Sequence, residues 1–134
     1  MYRNIIVALA LDHGISQTAL KVARALRAEG GKIVAIHAYE PMQGSVRAYL
    51  DESVVEEAYN RAQDLLAERV ADAPDVTAVM LRGQSGRAIT DHARNIGADC
   101  IIVGSHKPGL SDFFLGSTAA RVVRHAPCAV HVLR

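Results

Sequence analysis

The stretch "ADCIIVGSHKPGLSDFFLGSTAARVVRHAPCAVHVLR", residues 98–134, decides the fold class of this chain. Its first apolar run, Ile101–Val103, is short and rich in branched side chains, as is its last, Cys128–Leu133, and such runs are typical of buried strands. Between them, apolar residues recur at helical spacing, at Ala119, Val122, Val123 and Ala126. A strand, a helix and a second strand in this order predict one unit of a parallel sheet.

The same alternation runs through the rest of the chain. Apolar runs predict three further strands, at Ile5–Leu9, Ile33–Ala38 and Val76–Leu81, and apolar periodicity predicts helices over Ala19–Leu26, about 53–72 and Ile89–Ile96. Glycines or prolines stand where we expect the helices to stop, at Gly30-Gly31, Pro74, Gly97 and Pro127. Only the segment from Pro41 to Val46 reads as an irregular connection.

These elements predict an α/β fold with the order βαβαβαβαβ. Nearly continuous apolar strands are expected when helices cover both faces of a parallel sheet. We therefore predict a single domain over residues 1–134, with a five-stranded parallel sheet in a Rossmann-like three-layer sandwich. In such folds ligands bind beyond the carboxyl ends of the strands, where the strand order reverses. Functional residues are thus expected in the strand-to-helix loops.

Composition excludes several classes of function. Hydrophobic residues make up 50% of the chain and charged residues 22%, the balance of a globular domain, and no apolar run approaches the roughly 20 residues of a membrane span. The start of the chain lacks a secretory signal pattern, so a cytoplasmic location is expected. A net charge of +1 without a dense basic run argues against nucleic acid as a partner.

Cys100 and Cys128 have neither zinc-ligand nor redox-pair spacing and are interpreted as small buried hydrophobes.

The loop from Gly104 to Ser117 carries the most chemistry. Gly116, Ser117 and Thr118 open a predicted helix, whose first amide groups and dipole favour an anion. The two hydroxyls could donate to phosphate oxygens and Lys107 could neutralise their charge. The alternative is an ordinary helix cap without a ligand. Neither the GxxxxGK[ST] nor the GxGxxG motif is present.

Other polar residues suggest structural roles more than chemistry. His106 could contact phosphate, carry a proton or hold the loop, and Asp112 is a loop acid without a defined partner, so we assign no catalytic residue. Lone histidines in strand-like runs or on an apolar helix face are usually structural, and no metal site is expected; these are His37, His92 and His131. In Gly83–Gly86, Ser85 is interpreted as a helix cap.

The run quoted above is similar to the C-terminal half of the universal stress protein A family. The similarity extends over "NIIVALALD", "TALKVARAL", "GGKIVAIHAYEP" and "LRGQSGRAITDHARNIGAD", and so covers nearly the whole chain. It implies the adenine-nucleotide alpha-hydrolase-like variant of the predicted fold. Many members of that family bind ATP through a Gly-x2-Gly-x9-Gly-[Ser/Thr] loop, while others bind no nucleotide and act through protein contacts.

The resemblance implies a set of nucleotide-binding residues. Gly104, Gly116 and Ser117 match the first glycine, the last glycine and the hydroxyl residue of the family loop, and Ser105, His106 and Thr118 lie beside them. The loop is one residue shorter than the pattern, and Lys107 stands at its second glycine. The family's adenosine-contacting Asp falls on Ala10, with Asp12 two residues later, and Arg82 could compensate if it faced the crevice.

The resemblance also implies partners. ATP is the expected cofactor, with Mg²⁺ only if ATP is bound, and at most slow hydrolysis or autophosphorylation at Ser117 or Thr118 would accompany it. A homodimer is expected through the C-terminal strand, whose exposed edge can pair with a second copy, and an unidentified protein partner would receive the signal. The alternative to the dimer is a monomer in which Arg134 and loops shield this edge. The alternative within the same family is a dimeric interaction module without nucleotide.

Overall fold

The sheet has five parallel strands, as the sequence predicts, in the order β3-β2-β1-β4-β5. The computed structural model describes residues 1–10, 16–41, 44–105 and 115–134. Along the chain the elements are β1 (Tyr2–Ala8), α1 (Ser16–Leu26), β2 (Arg27–Tyr39), α2 (Ser45–Ala48), α3 (Glu52–Arg69), β3 (Val76–Arg82), α4 (Ser85–Ile96), β4 (Cys100–Gly104), α5 (Ser117–His125) and β5 (Ala129–Leu133). The strand order reverses between β1 and β4, so this is the point where a crevice is expected.

Two apolar clusters cover the two faces of the sheet, because successive side chains of a buried strand point to opposite sides. On one face Ile5, Val7 and Ile102 pack with α1 and α3 residues such as Leu20 and Leu66. The cluster on the other face contains Ile6, Ile36, Ile101, Ile89 and Val122, the last two from α4 and α5. The resulting α/β sandwich has three layers, with helices on both faces of the sheet, as predicted.

The structure corrects two local predictions. Helix α1 ends at Leu26, so Gly30 and Gly31 lie inside the long strand β2 and do not terminate the helix. Pairing of β1 with β2 shifts register between Tyr2 and Asn4, opposite this glycine pair, and Gly30 has a φ of 76°. The connection after Pro41 contains the single-turn helix α2 where an irregular segment was expected, although residues 42–43 lie outside the described ranges.

Asp99, just before β4, fixes the amino ends of the central strands of the sheet. Its carboxylate accepts hydrogen bonds from the backbone amides of Arg3 (2.8 Å) and Asn4 (2.9 Å), and the Asn4 side-chain amide donates to the carbonyl of Ile96 (2.7 Å). These bonds tie the start of β1 to the end of α4. These polar contacts are therefore structural, and they lie at the opposite end of the strands from the carboxyl ends, where ligands bind in such folds.

An ion-pair cluster joins α1, β2 and the approach to β3. Asp75 accepts two hydrogen bonds from Arg24, at 3.0 Å each, and one from Arg27 at 3.1 Å. The hydrogen bond from Arg24, assisted by the two positive charges, lowers the pKa of the Asp75 carboxyl from its ordinary 3.8 to about 2.

Cys100 is buried, as the sequence predicts, whereas Cys128 is only half-buried. Burial raises the pKa of Cys100 to about 11 and also raises the pKa of the half-buried Cys128, so both remain protonated at neutral pH.

Within the described ranges, no helix is long and apolar enough to cross a membrane, and no group of three potential ligands is placed to hold a metal ion.

Candidate functional site

The ends of β1 and β4 meet at the point where the strand order reverses. Val7 of β1 pairs with Ile102 of β4, and the chain continues three residues further in each case, to Ala10 and Ser105. Two of the predicted site residues, Ala10 and Ser105, thus lie close together at the carboxyl ends of the two central strands. Ala10 is half-buried there, and its side chain is a methyl group without a hydrogen-bonding atom.

Strand β2 fixes the course of the chain beyond β1. The amide of Leu9 donates to the carbonyl of Ile36 (2.8 Å), and Nδ1–H of His37 donates to the carbonyl of Leu9 (3.0 Å). His37 therefore has the structural role that its position in a strand suggested. These two bonds hold Ala10, the next residue, at the crevice.

Backbone hydrogen bonds close the two ends of the loop after β4. Gly104 pairs with Leu133, the amide of Ser105 donates to the carbonyl of Leu133 (2.7 Å), and the amide of Gly116 donates to the carbonyl of Ser105. Ser105 is only 5% exposed. The Gly116 amide is therefore engaged inside the protein, and the amides that α5 can offer to a ligand are those of its first turn, beginning with Ser117.

Helix α4 begins beside α5 at the same end of the sheet. Side chains of the protein accept hydrogen bonds from backbone amides in its first turn. Oε1 of Gln84 accepts from the amide of Arg87 (2.8 Å), and Oε1 of Glu40, which follows β2, accepts from the amide of Ser85 (3.0 Å). Gln84 is therefore the cap, and the assignment of this role to Ser85 was wrong. Ser85 is the first helical residue, so its hydroxyl is left for another partner.

Helix α5 begins differently. Its N-cap is Gly116, which has no side chain to accept a hydrogen bond, with a φ of −58° and a ψ of 156°. Ser117 is exposed and Thr118 is half-buried. The Thr118 hydroxyl lies 2.7 Å from the Ser85 hydroxyl, so the first turns of the two helices are joined through their side chains.

Arg82 does not face the crevice. Its guanidinium lies over the ring of Tyr59 on α3, 3.9 Å from the ring centroid, and Tyr59 in turn packs edge-on against Tyr39. This cluster is at the end of β3, two strands away from β1 in the sheet. Arg82 is thus engaged elsewhere and does not replace the carboxylate missing at Ala10.

Three of the predicted site residues, Asp12, His106 and Lys107, lie outside the described residues, as does Asp112. Sequence reasoning missed Glu40 and Gln84, which complete the first turn of α4. Gln84 could have been found from its position before a helix, since its side chain accepts from the amide three residues later as a cap does. No local pattern indicated Glu40, because its partner Ser85 comes from a distant part of the chain.

Comparison with known proteins identifies the family. The model of the universal stress protein family matches residues 1–134. This chain belongs to the universal stress protein family. It is similar to a universal stress protein of Thermus aquaticus, with 35% identity over the full length of both chains. The sequence resemblance is thereby confirmed.

Solved universal stress proteins share the fold. The protein from Lactobacillus plantarum has a TM-score of 0.79 and 24% identity, covering 99% of this chain and 98% of its own. The Archaeoglobus fulgidus protein in complex with dAMP has a TM-score of 0.63 and 20% identity, covering 99% and 98%. Other universal stress proteins of this fold were solved with cAMP (TM-score 0.70) and, from Arabidopsis thaliana, with AMP (TM-score 0.59).

Proposed function

We propose that this universal stress protein binds an adenine nucleotide in the crevice between β1 and β4, with the phosphates at the first turn of α5. The adenosine part would lie toward Ala10, and Gly104 and Ser105 would form the floor beneath the phosphates. The protein would then act as a nucleotide-dependent regulator and not as an efficient enzyme.

One contrast between neighbouring helices carries this proposal. The first turn of α4 already has a carboxylate from Glu40 and a cap from Gln84, whereas α5 starts at a glycine with an exposed serine after it. A helix N-terminus attracts negative charge through its amides and its dipole. In α4 the protein supplies that charge itself, and in α5 the proposed phosphate would supply it.

The ligand class is supported by the structural neighbours. Members of the family with this fold hold dAMP, cAMP and AMP, which share an adenine ring, a sugar and a phosphate. The amides of the α5 first turn and the hydroxyls of Ser117 and Thr118 are donors, the chemistry that phosphate oxygens require. ATP fits the same donors, and Mg²⁺ would enter only as part of the ATP complex.

A second function within the family is favoured by two other observations. Ala10 offers no carboxylate to the adenosine, and the Thr118 hydroxyl has no proton left for a phosphate when it donates to Ser85. A chain with these features could serve as an interaction module without nucleotide. Both functions involve a homodimer through β5, an edge strand with Ala129 and His131 exposed, and an unidentified protein partner.

Calorimetric titration with ATP and AMP separates the two functions, with Gly116→Val as the test variant. The backbone at Gly116 has φ and ψ values that any residue adopts, so valine introduces no backbone strain there and would place its methyl groups beside the proposed phosphates. Ala120→Val is the matched control, because Ala120 is exposed on the same helix beyond its first turn.

We expect micromolar binding of ATP, at least tenfold weaker binding to Gly116→Val, and unchanged binding to Ala120→Val, since about 1.4 kcal/mol corresponds to a tenfold change. Absence of binding by the folded wild-type protein would refute nucleotide binding and leave the interaction module. Equal losses in both variants would show that valine in α5 disturbs the helix and not the phosphate site.

A further inference from the structure

A chain of hydrogen bonds joins three separate parts of the sequence at the edge of the proposed site. Glu40, after β2, accepts from the amide of Ser85 at 3.0 Å, and the hydroxyl of Ser85 lies 2.7 Å from that of Thr118. The link between the two hydroxyls is partly buried and spans 33 positions in sequence. It ends at the second residue of the helix that would receive the phosphate.

The absence of a side chain at Gly86 allows this link to form. A Cβ atom at Gly86 would lie 2.8 Å from both Cβ and Cδ of Arg121, one turn after Thr118 on α5. Such distances are too short for real carbon atoms, so the two helices approach this closely only because residue 86 is glycine. The approach brings Ser85, the neighbour of Gly86, to hydrogen-bonding distance of Thr118.

The direction of the hydroxyl link is fixed once an anion is present. Phosphate oxygens at neutral pH accept hydrogen bonds, and each hydroxyl has a single proton to donate. If Thr118 donates its proton to phosphate, its own oxygen must accept from Ser85, and Ser85 becomes the donor. Successive hydrogen bonds of this kind polarise and strengthen one another.

We propose that Ser85 is a positioning residue for the phosphate site, which orients the Thr118 hydroxyl as a donor to the ligand. This inference rests on the proposed function. Glu40 assists by holding the backbone of Ser85. Its carboxylate also lies at the first turn of α4 and would repel a phosphate there, so of these two helices only α5 has a first turn that favours the phosphate. Ser85 thereby favours ligands that carry phosphate and is indifferent to the nucleoside part.

The test compares ATP with adenosine, because only ATP reaches Thr118 in this arrangement. Both ligands are titrated into wild type, Ser85→Ala, Ser85→Thr and Thr118→Val, with thermal unfolding recorded for each protein. We expect Ser85→Ala to weaken ATP binding about 3- to 10-fold, the size of one lost hydrogen bond, and to change adenosine binding less than about 2-fold. Ser85→Thr keeps a hydroxyl and should restore ATP affinity.

The double variant Ser85→Ala/Thr118→Val should bind ATP no more weakly than Thr118→Val alone, since Ser85 acts through Thr118. Equal losses for ATP and adenosine, or no loss in Ser85→Ala, would overturn the inference while leaving nucleotide binding intact. If wild type binds adenosine but gains nothing from the phosphates of ATP, the role of Ser85 is refuted. If it binds neither ligand, the proposed function fails and this inference fails with it.

Discussion

At the scale of single residues, Asp75 shows how the fold changes the ionisation of a side chain. Its carboxylate accepts hydrogen bonds from Arg24 and Arg27, which holds its pKa near 2, well below the ordinary 3.8. A lowered pKa in the folded state means that the ionised form stabilises the fold. That contribution is fully present above about pH 4 and is lost as the pH falls toward 2.

Replacing Asp75 with Asn should lower the free energy of unfolding at pH 7 by about 0.5–1 kcal/mol. The effect is small because the side chains of Arg24 and Asp75 are 37% and 32% exposed, where solvent screens the ion pair. Urea unfolding of wild type and variant between pH 7 and pH 2 should show the difference shrinking below pH 4. Asp91→Asn, which removes the more exposed ion pairs with Arg87 and Arg94, is the control and should change stability by less than about 0.5 kcal/mol. A difference for Asp75→Asn that persists unchanged at pH 2 would contradict this account.

Local sequence identified residues whose roles depend on their immediate neighbours. Gly116 and Ser117 could be placed at the start of a helix because the apolar period begins directly after them. The pairing of Ser85 with Thr118 could not be predicted, since it depends on how closely α4 and α5 approach each other. The cap of α4 was assigned one residue too late for a different reason, because a serine was preferred as the cap over the preceding glutamine, although the bond from the Arg87 amide to Gln84 is local.

At the scale of elements, the spacing of α4 and α5 is set by Gly86. Both helices pack on the same face of the sheet, where Ile89 and Val122 are almost fully buried. The glycine lies against the stem of Arg121, so the two helices begin in contact. The distance between their first turns thus depends on one missing side chain.

Gly86→Ala should therefore destabilise the protein, because inserting an atom into a packed contact has a steric cost of about 1–3 kcal/mol. Alanine favours the helix over glycine by about 1 kcal/mol, which offsets part of this cost, so a net loss would show that the steric effect dominates. Chemical unfolding measures the change. Arg121→Ala is the control, and because Arg121 is exposed we expect it to stay within about 0.5 kcal/mol of wild type. A stabilised Gly86→Ala variant would mean that the helices separate freely.

The sequence predicted which elements exist more accurately than where they end. Apolar runs located the five strands because burial on both faces leaves little choice of residue type. Strand β2 begins at Arg27, several residues before the apolar run at Ile33, because pairing with β1 extends it through a glycine pair of low strand propensity. Such an extension depends on a partner strand and not on the segment itself.

At the scale of the whole molecule, the sheet has two edge strands, and each could pair with a second copy of the chain. Strand β5 forms one edge and β3 the other, and each has an exposed alanine, Ala129 and Ala78. The proposed homodimer uses β5, where Val130 and Val132 pack against the α4–α5 face of the core and Ala129 is open to a second copy. Two-fold symmetry would place each substitution in β5 at the interface twice.

Ala129→Lys should weaken the homodimer at least tenfold, because lysine on an edge strand opposes pairing with another chain. Light scattering after size-exclusion chromatography should give twice the mass of the chain for wild type and a monomer for this variant at low micromolar concentration. Ala78→Lys, on the opposite edge, should remain a dimer. If Ala78→Lys dissociates and Ala129→Lys does not, the dimer forms through β3, and if wild type is monomeric the dimer proposal is wrong.

The hydrogen bond from the Gly116 amide to the Ser105 carbonyl means that the sequence between these two residues could be exchanged for another. Ser105, before residues 106–114, is bonded to Leu133 of β5, and Gly116, after them, is bonded to Ser105, in both cases through main-chain atoms. Closing a loop of twice the length costs only about 0.6 kcal/mol more. Natural variation or laboratory grafting could therefore change the length and chemistry of this segment while the helix behind it keeps its starting point, so ligand preference can diverge without rebuilding the sheet.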